Sequence, residues 1–252
     1  MGLEFDLIFF VVAIPAVLFA GISKGGFGSG AAFAATPLLA LILEPGVAVG
    51  MMLPLLMVMD MTNLKPYWKK WDWPNAKALM LGALPGTIVG ALLYRIADAD
   101  TFRVMIGCVA LSFVLYQLAR KLRWLKVHPR PFRPLNGGFW GFIAGITSFI
   151  SHAGGPAVAV HLLSQKIDKT TYQATSVIVF WVVNWMKFIP YLMLGIFTTQ
   201  TALADLILAP FAVIGTYLGV FAHRLIPERV YFMVAYTMLI TAGGKLLFDG
   251  LT

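Results

Sequence analysis

A single cysteine, Cys108, is all the thiol the chain carries. It lies inside an apolar run, so an intrachain disulfide, a cysteine-ligated zinc and an iron–sulfur cluster are excluded. Charge is scarce as well. Only 12% of the 252 residues are Asp, Glu, Lys or Arg, against 60% hydrophobic, and the mean hydropathy is +0.83. A water-facing surface needs far more charge, which excludes a soluble domain. Alternation of apolar and polar residues at a period of two is missing, so helices rather than a barrel must satisfy the backbone in lipid. Nucleophile-elbow, HExxH and Walker motifs are missing too, and Ser151 and His152 are neighbours rather than a spaced nucleophile and base. His152 and His161 do not stand at metal-ligand spacing. No catalytic residue, metal or cofactor is therefore expected, and any pumping must draw on an ion gradient or the substrate's own. The N-terminus carries Glu4 and Asp6 and no basic side chain. A signal peptide is thus not expected, and residues 7–20 should remain as a span.

What the chain does have is a succession of apolar runs near bilayer-crossing length. They predict helices at 3–22, 31–43, 47–64, 76–96 and 101–122, then at 136–150, 156–165, 172–194, 202–223 and 227–248. The second element of each group of five is short. At about 1.5 Å per residue it covers about half to two thirds of a core about 30 Å thick. A half-helix or re-entrant piece is the expected form.

The two groups are one unit written twice. A displacement of 124 positions sets AGISKGGFGSGAAFAATPLL, from Ala20, on AGITSFISHAGGPAVAVHLL, from Ala144, and matches Ala20, Gly21, Ile22 and Gly30 to Ala144, Gly145, Ile146 and Gly154. The same displacement sets Asp60 on Asn184 and Asn63 on Lys187. One of 129 sets Gly86, Thr87 and Gly90 on Gly215, Thr216 and Gly219. The expected organisation is a first transmembrane repeat at 1–123, a basic linker at 124–135 and a second repeat at 136–252.

Loop charge predicts how the repeats lie. The net charge of +8 is densest in RKLRWLKVHPRPFRP at 120–134, between two spans, and reads as a cytoplasmic positive-inside loop rather than a nucleic-acid site. Counting from it, Lys65, Lys69 and Lys70 fall inside, as do Lys166, Lys169, Arg224 and Arg229, while the N-terminus, the 44–46 turn and the uncharged 195–201 turn fall outside. Corresponding loops of the two copies carry opposite bias, as in an inverted repeat. Trp68, Trp71 and Trp73 read as interfacial anchors.

The polar residues inside the spans are the functional candidates, because ionisable groups at that depth are costly. Glycines in SKGGFGSG break a helix where the backbone must line a cavity or be covered by protein. The restart after the break, like the one after His152, offers free amides to an anion, and Pro156 is placed as a first helical residue. Ser23, Lys24, Gly25, Gly28 and Ser29 are expected on one side of a substrate site, and Ser151, His152, Gly154 and Gly155 on the other. Thr147 and Ser148 offer further hydroxyls. Lys187 lies deep in a span with Asn184 one turn before it on the same face, and both are expected to bind substrate. Asp60, with Asn63, is expected to couple or gate, pairing with Lys187 when the site is empty or carrying a proton. Close glycine packing alone, and a purely structural ion pair, are the competing explanations. His161 and His223 are read as packing histidines.

These two glycine-bearing segments resemble the two signature halves of the TauE/SafE-type sulfite exporter family, the TSUP permeases, and the resemblance runs over nearly the whole chain. It implies a multi-pass permease of the bacterial inner membrane that moves sulfur-containing anions such as sulfite, sulfoacetate or other organosulfonates, often outward, coupled to the proton or the membrane potential. The expected partners are such an anion, the bilayer and a coupling proton, with a homodimer left open and nucleic acid excluded. The expected fold is all-α, with two inverted-topology repeats whose broken helices meet near the midplane. A permease for another small organic anion, a non-transporting anchor and an intramembrane enzyme are the alternatives. A cation transporter through Asp60 fits less well with the buried positive charge.

Overall fold

The computed structural model describes residues 5–27, 32–122, 124, 131–225 and 228–252, without the side chains of residues 27, 220–225, 228 and 229. Each predicted helix is present, its ends displaced by up to about four residues, the usual scatter of helix boundaries. They are α1 Leu7–Ile22, α2 Ala35–Leu39, α3 Pro45–Leu64, α4 Trp73–Ile96, α5 Ala99–Lys121, α6 Pro134–Ser151, α7 Gly155–Leu163, α8 Lys169–Met193, α9 Thr199–Leu225 and α10 Glu228–Leu251. The starts are set by local chemistry. Asp6, Asp72, Asp98 and Asp168 each accept a backbone N–H from the first turn of α1, α4, α5 and α8, and prolines open α3, α4, α6 and α7, where their missing N–H costs nothing. Among the described residues seven helices are long and apolar enough to cross a membrane. Leu81, Leu115, Ile189, Met193 and Leu206 stand on the outside of the bundle, an all-α integral membrane protein whose apolar exterior suits lipid rather than water.

Packing follows the internal repeat. Exchanging α1–α5 with α6–α10 maps the α4–α6 contact onto α9–α1 and the α3–α9 contact onto α8–α4, and returns α3–α8 and α5–α10 to themselves. The glycines show why. A Cβ on Gly21 would lie 2.8 Å from both Ala212 O and Thr216 N, and one on Gly145 would run into Ala83 O and lie 2.8 Å from Thr87 N. These are the same contact in the two copies. Gly86 against Phe142 and Gly215 against Leu18 form its reverse side. Only the absence of a side chain lets these backbones approach so closely.

The broken pairs are hairpins that enter from opposite ends of α4. The start of α1, the α2–α3 turn and Tyr94 at the end of α4 border one cleft. At the other end, Gly137 near the start of α6 lies beside His161 near the end of α7, and His161 reaches Asn75 in the first turn of α4. The described residues flanking the first break, Ser23, Lys24, Ala32 and Phe33, and residues 151–155 at the second are buried.

Candidate functional site

At the first break α1 widens into a π-helical stretch, Ser23–Phe27, and the chain resumes as a 3₁₀ turn, Ala32–Ala34, leading into α2. π-Bulges of this kind redirect side chains and cluster at functional sites. Lys24 sits in the stretch, 7% exposed. Its Nζ donates to Leu56 O at 3.4 Å and forms an ion pair with Asp60 Oδ1. Asp60 Oδ2 accepts from Asn184 Nδ2 at 2.6 Å. Asp60 on α3 and Asn184 on α8, which the displacement of 124 positions sets on one another in the sequence, thus meet directly.

At the second break α6 ends on His152, whose φ of +57° is left-handed. That conformation is costly with a Cβ, by about 1 to 2 kcal/mol, and helix ends usually meet it with glycine. The matching position of the first copy is Gly28. The imidazole is tied at both nitrogens, Nε2 to Val49 O at 2.9 Å and Nδ1 to Lys187 Nζ at 2.7 Å. A carbonyl only accepts and an ammonium only donates, so the ring carries its one proton on Nε2 and is neutral. Lys187, fully buried, also donates to Ser148 O at 3.1 Å.

The pairing of Asp60 with Lys187 expected from the sequence is not the one formed. The carboxylate is taken by Lys24 and Asn184, and among the described residues Lys187 has no carboxylate in ion-pair contact. Lys24, Asp60 and Lys187 are the charged groups that act on one another here. As two ammonium groups and one carboxylate they would sum to one positive charge.

Lys24, Ser148, His152, Gly155 and Asn184 line a cavity of about 10 Å³, closed on its apolar side by Ala32, Leu56 and Phe180. That is about the space of one water. The other predicted residues lie around it. Gly25 turns toward α9, where a Cβ would run into Thr216 O, and Gly154 packs on Ala144 and Phe180. Ser23, Ser151 and Asn63 are buried but do not border the cavity. Gly28 and Ser29 lie outside the described residues. His161, read as a packing histidine, is buried with Nε2 2.6 Å from Asn75 Oδ1. The side chain of His223 is not described. Phe180, Leu56 and the carbonyls of Ser148 and Val49 were not singled out in the sequence. Phe180 carried a signal, standing four residues before Asn184 on the face shared with Lys187, whereas the carbonyls carried none. Among the described residues no group of His, Cys, Asp or Glu gathers as metal ligands.

A second, open cavity of about 1220 Å³ lies at the helix ends bordered by Asp6, Glu44, Tyr94, Arg103, Gln200 and Asp249. Between it and the small cavity runs an aromatic chain. Tyr94 meets Phe149 at 6.4 Å between ring centres, Phe149 meets Tyr191 at 4.8 Å, and Tyr191 stands 6.3 Å from the His152 ring. Tyr191 is pinned by its hydroxyl, which donates to Phe149 O at 2.7 Å.

Helices long enough to cross a bilayer, broken around a buried ionic cluster, define a polytopic membrane protein with an interior polar site, as in transporters. The chain belongs to the sulfite exporter TauE/SafE family, whose model matches residues 13–246. It is accordingly a multi-pass membrane transporter. No curated protein and no solved structure matches it.

Proposed function

We propose that the protein is an inner-membrane secondary transporter, working as an exporter, of sulfur-containing anions such as sulfite, sulfoacetate or other organosulfonates. The substrate site is the cavity between the two breaks. One observation carries this: the Lys187 amine is fully buried, with no carboxylate in ion-pair contact among the described residues. An unpaired interior charge is strongly disfavoured until a counter-ion joins it, so the site attracts an anion. Lys24, Ser148, His152, Gly155 and Asn184 surround the space it would enter, and Asp60 acts as the coupling group that releases Lys24. No catalytic residue is assigned.

The chain works as two inverted repeats, the first ending at Lys121 and the second starting at Pro134, two residues before the expected boundary. The opposed hairpins and the exchange symmetry of packing support this arrangement. The basic loops lie inside, with the N-terminus and the open cavity outside. A site with room for one water admits an anion only after the bundle opens, as alternating access requires. Parting the Phe149–Tyr191 contact opens it outward.

The test is thermal stability of the purified protein against sulfite, sulfoacetate, methanesulfonate, acetate and chloride. A true ligand at about 100 times its Kd stabilises by about 2.7 kcal/mol. Selective stabilisation by the sulfur anions, lost in Lys187→Met, supports the site. Equal stabilisation of the variant removes Lys187 from it, and a flat response across the panel removes the function.

A further inference from the structure

The charge of the cluster also limits the form in which a substrate enters. With Lys24 and Asp60 as an ion pair and Lys187 as the ammonium that donates to Ser148 O and His152 Nδ1, the cluster sums to one positive charge, and His152, bonded through Nε2 to Val49 O, is neutral. Tyr191, the remaining titratable neighbour of His152, keeps its hydroxyl proton in a hydrogen bond to Phe149 O. Rearranging partners does not alter the sum. If Lys24 leaves Asp60 to meet a substrate, Asp60 is left for Lys187, and the total remains one positive charge. The surroundings are dry, with Ala32, Leu56 and Phe180 on the apolar side and room for about one water. In such a place net charge, rather than any single contact, dominates the cost of binding.

Building on the substrate site proposed above, we propose that it binds anions as monoanions. A sulfonate or hydrogen sulfite carries one negative charge and leaves the interior neutral. Sulfite proper, sulfate and thiosulfate carry two and would leave a buried net negative charge, so a dianion enters only with one proton. The substrate class is thus the singly charged sulfur oxyanion, and the protonated form is the one drawn from the sulfite pool. The second ionisation of sulfurous acid falls near neutral pH, so this choice is visible in solution.

Isothermal titration of the full-length detergent-purified protein on either side of that ionisation tests it, with methanesulfonate, a monoanion throughout, as the internal control. Protein groups that titrate affect both ligands alike, so the ratio of their affinities isolates the substrate's own proton. The expected result is that the apparent Kd for total sulfite, relative to methanesulfonate, weakens by about tenfold for each pH unit above the ionisation, with sulfate silent. A ratio that is flat, or that moves toward tighter sulfite at higher pH, overturns the monoanion rule while leaving the anion site intact. Sulfate binding as tightly as methanesulfonate without proton uptake does the same. Absence of binding by every anion in folded protein overturns the site itself.

Discussion

Lys187 and Asp60 are both buried, yet replacing them should have different consequences. Asp60 neutralises Lys24, so Asp60→Asn strands a buried ammonium. The expected loss is about 3 to 5 kcal/mol, the range for breaking one side of a buried pair. Lys187→Met removes a cation with no carboxylate partner. Losing its hydrogen bonds to Ser148 O and His152 Nδ1 offsets the gain from removing the charge, and stability without ligand should stay within about 1 kcal/mol of the parent. Thermal or denaturant unfolding of the two variants decides this. A large loss in Lys187→Met would mean that the ammonium already has a counter-charge. His152 belongs to the same scale. Its left-handed backbone favours glycine, so His152→Gly should fold as well as the parent while losing the tie that holds Lys187, measured as weaker anion stabilisation.

At the scale of elements, glycine decides how closely helices approach. Gly82 and Gly138 meet across the α4–α6 contact, but their substitutions differ in sign. A Cβ on Gly82 would run into Gly138 O, whereas one on Gly138 meets nothing within 4 Å. Gly82→Ala must push two helices apart and should cost about 1 to 3 kcal/mol. Gly138→Ala, in the interior of α6, should be neutral or stabilise by up to about 1 kcal/mol through helix propensity. Melting of the pair of variants measures the difference, and equal effects would refute the packing. Element starts respond to pH. The Thr171 hydroxyl and the N–H groups of Thr170 and Thr171 bond Asp168, which holds its carboxyl below the ordinary range. A lowered folded value means that this cap adds stability above the unfolded pKa of about 3.9 and loses it as pH falls through the folded value. Asp168→Ala should therefore lower the melting temperature near neutrality, and the difference from the parent should vanish on acidification. A pH-independent difference would rule out the ionised cap.

In the inverted arrangement proposed above, two hairpins and their supporting helices face one another across a small polar space. The turns bordering the open cavity, including 195–200, and the basic turn at 65–70 should therefore lie on opposite sides of the membrane. Single cysteines at Lys70 and Thr199, in a Cys108→Ser background, are both at exposed positions. In oriented vesicles an impermeant maleimide should reach Lys70→Cys from the cytoplasmic face only and Thr199→Cys from the opposite face only. Labelling of both from one face would rule out the inverted arrangement.

Membrane residence and helix positions were legible without coordinates. Composition, apolar run length and displacement symmetry are properties of the covalent chain, and Gly21 with Gly145 could be matched before either was seen against a neighbour. Lys24, His152, Asn184 and Lys187 could be named because polar groups inside apolar runs are conspicuous. Which of them meet was decided only in three dimensions. Asn184 takes one oxygen of Asp60, and Lys187, nearly a turn further along α8, reaches past the carboxylate to the end of α6. The π-helical stretch turns Lys24 onto Asp60 in its place. Carbonyls of Ser148 and Val49 complete the site and leave no mark in a sequence, because every residue has one and only tertiary packing decides which are free to bond. Chain order determined the membrane fold, whereas the crossing of α3 and α8 determined that Asp60 meets Lys24 and Asn184 rather than Lys187.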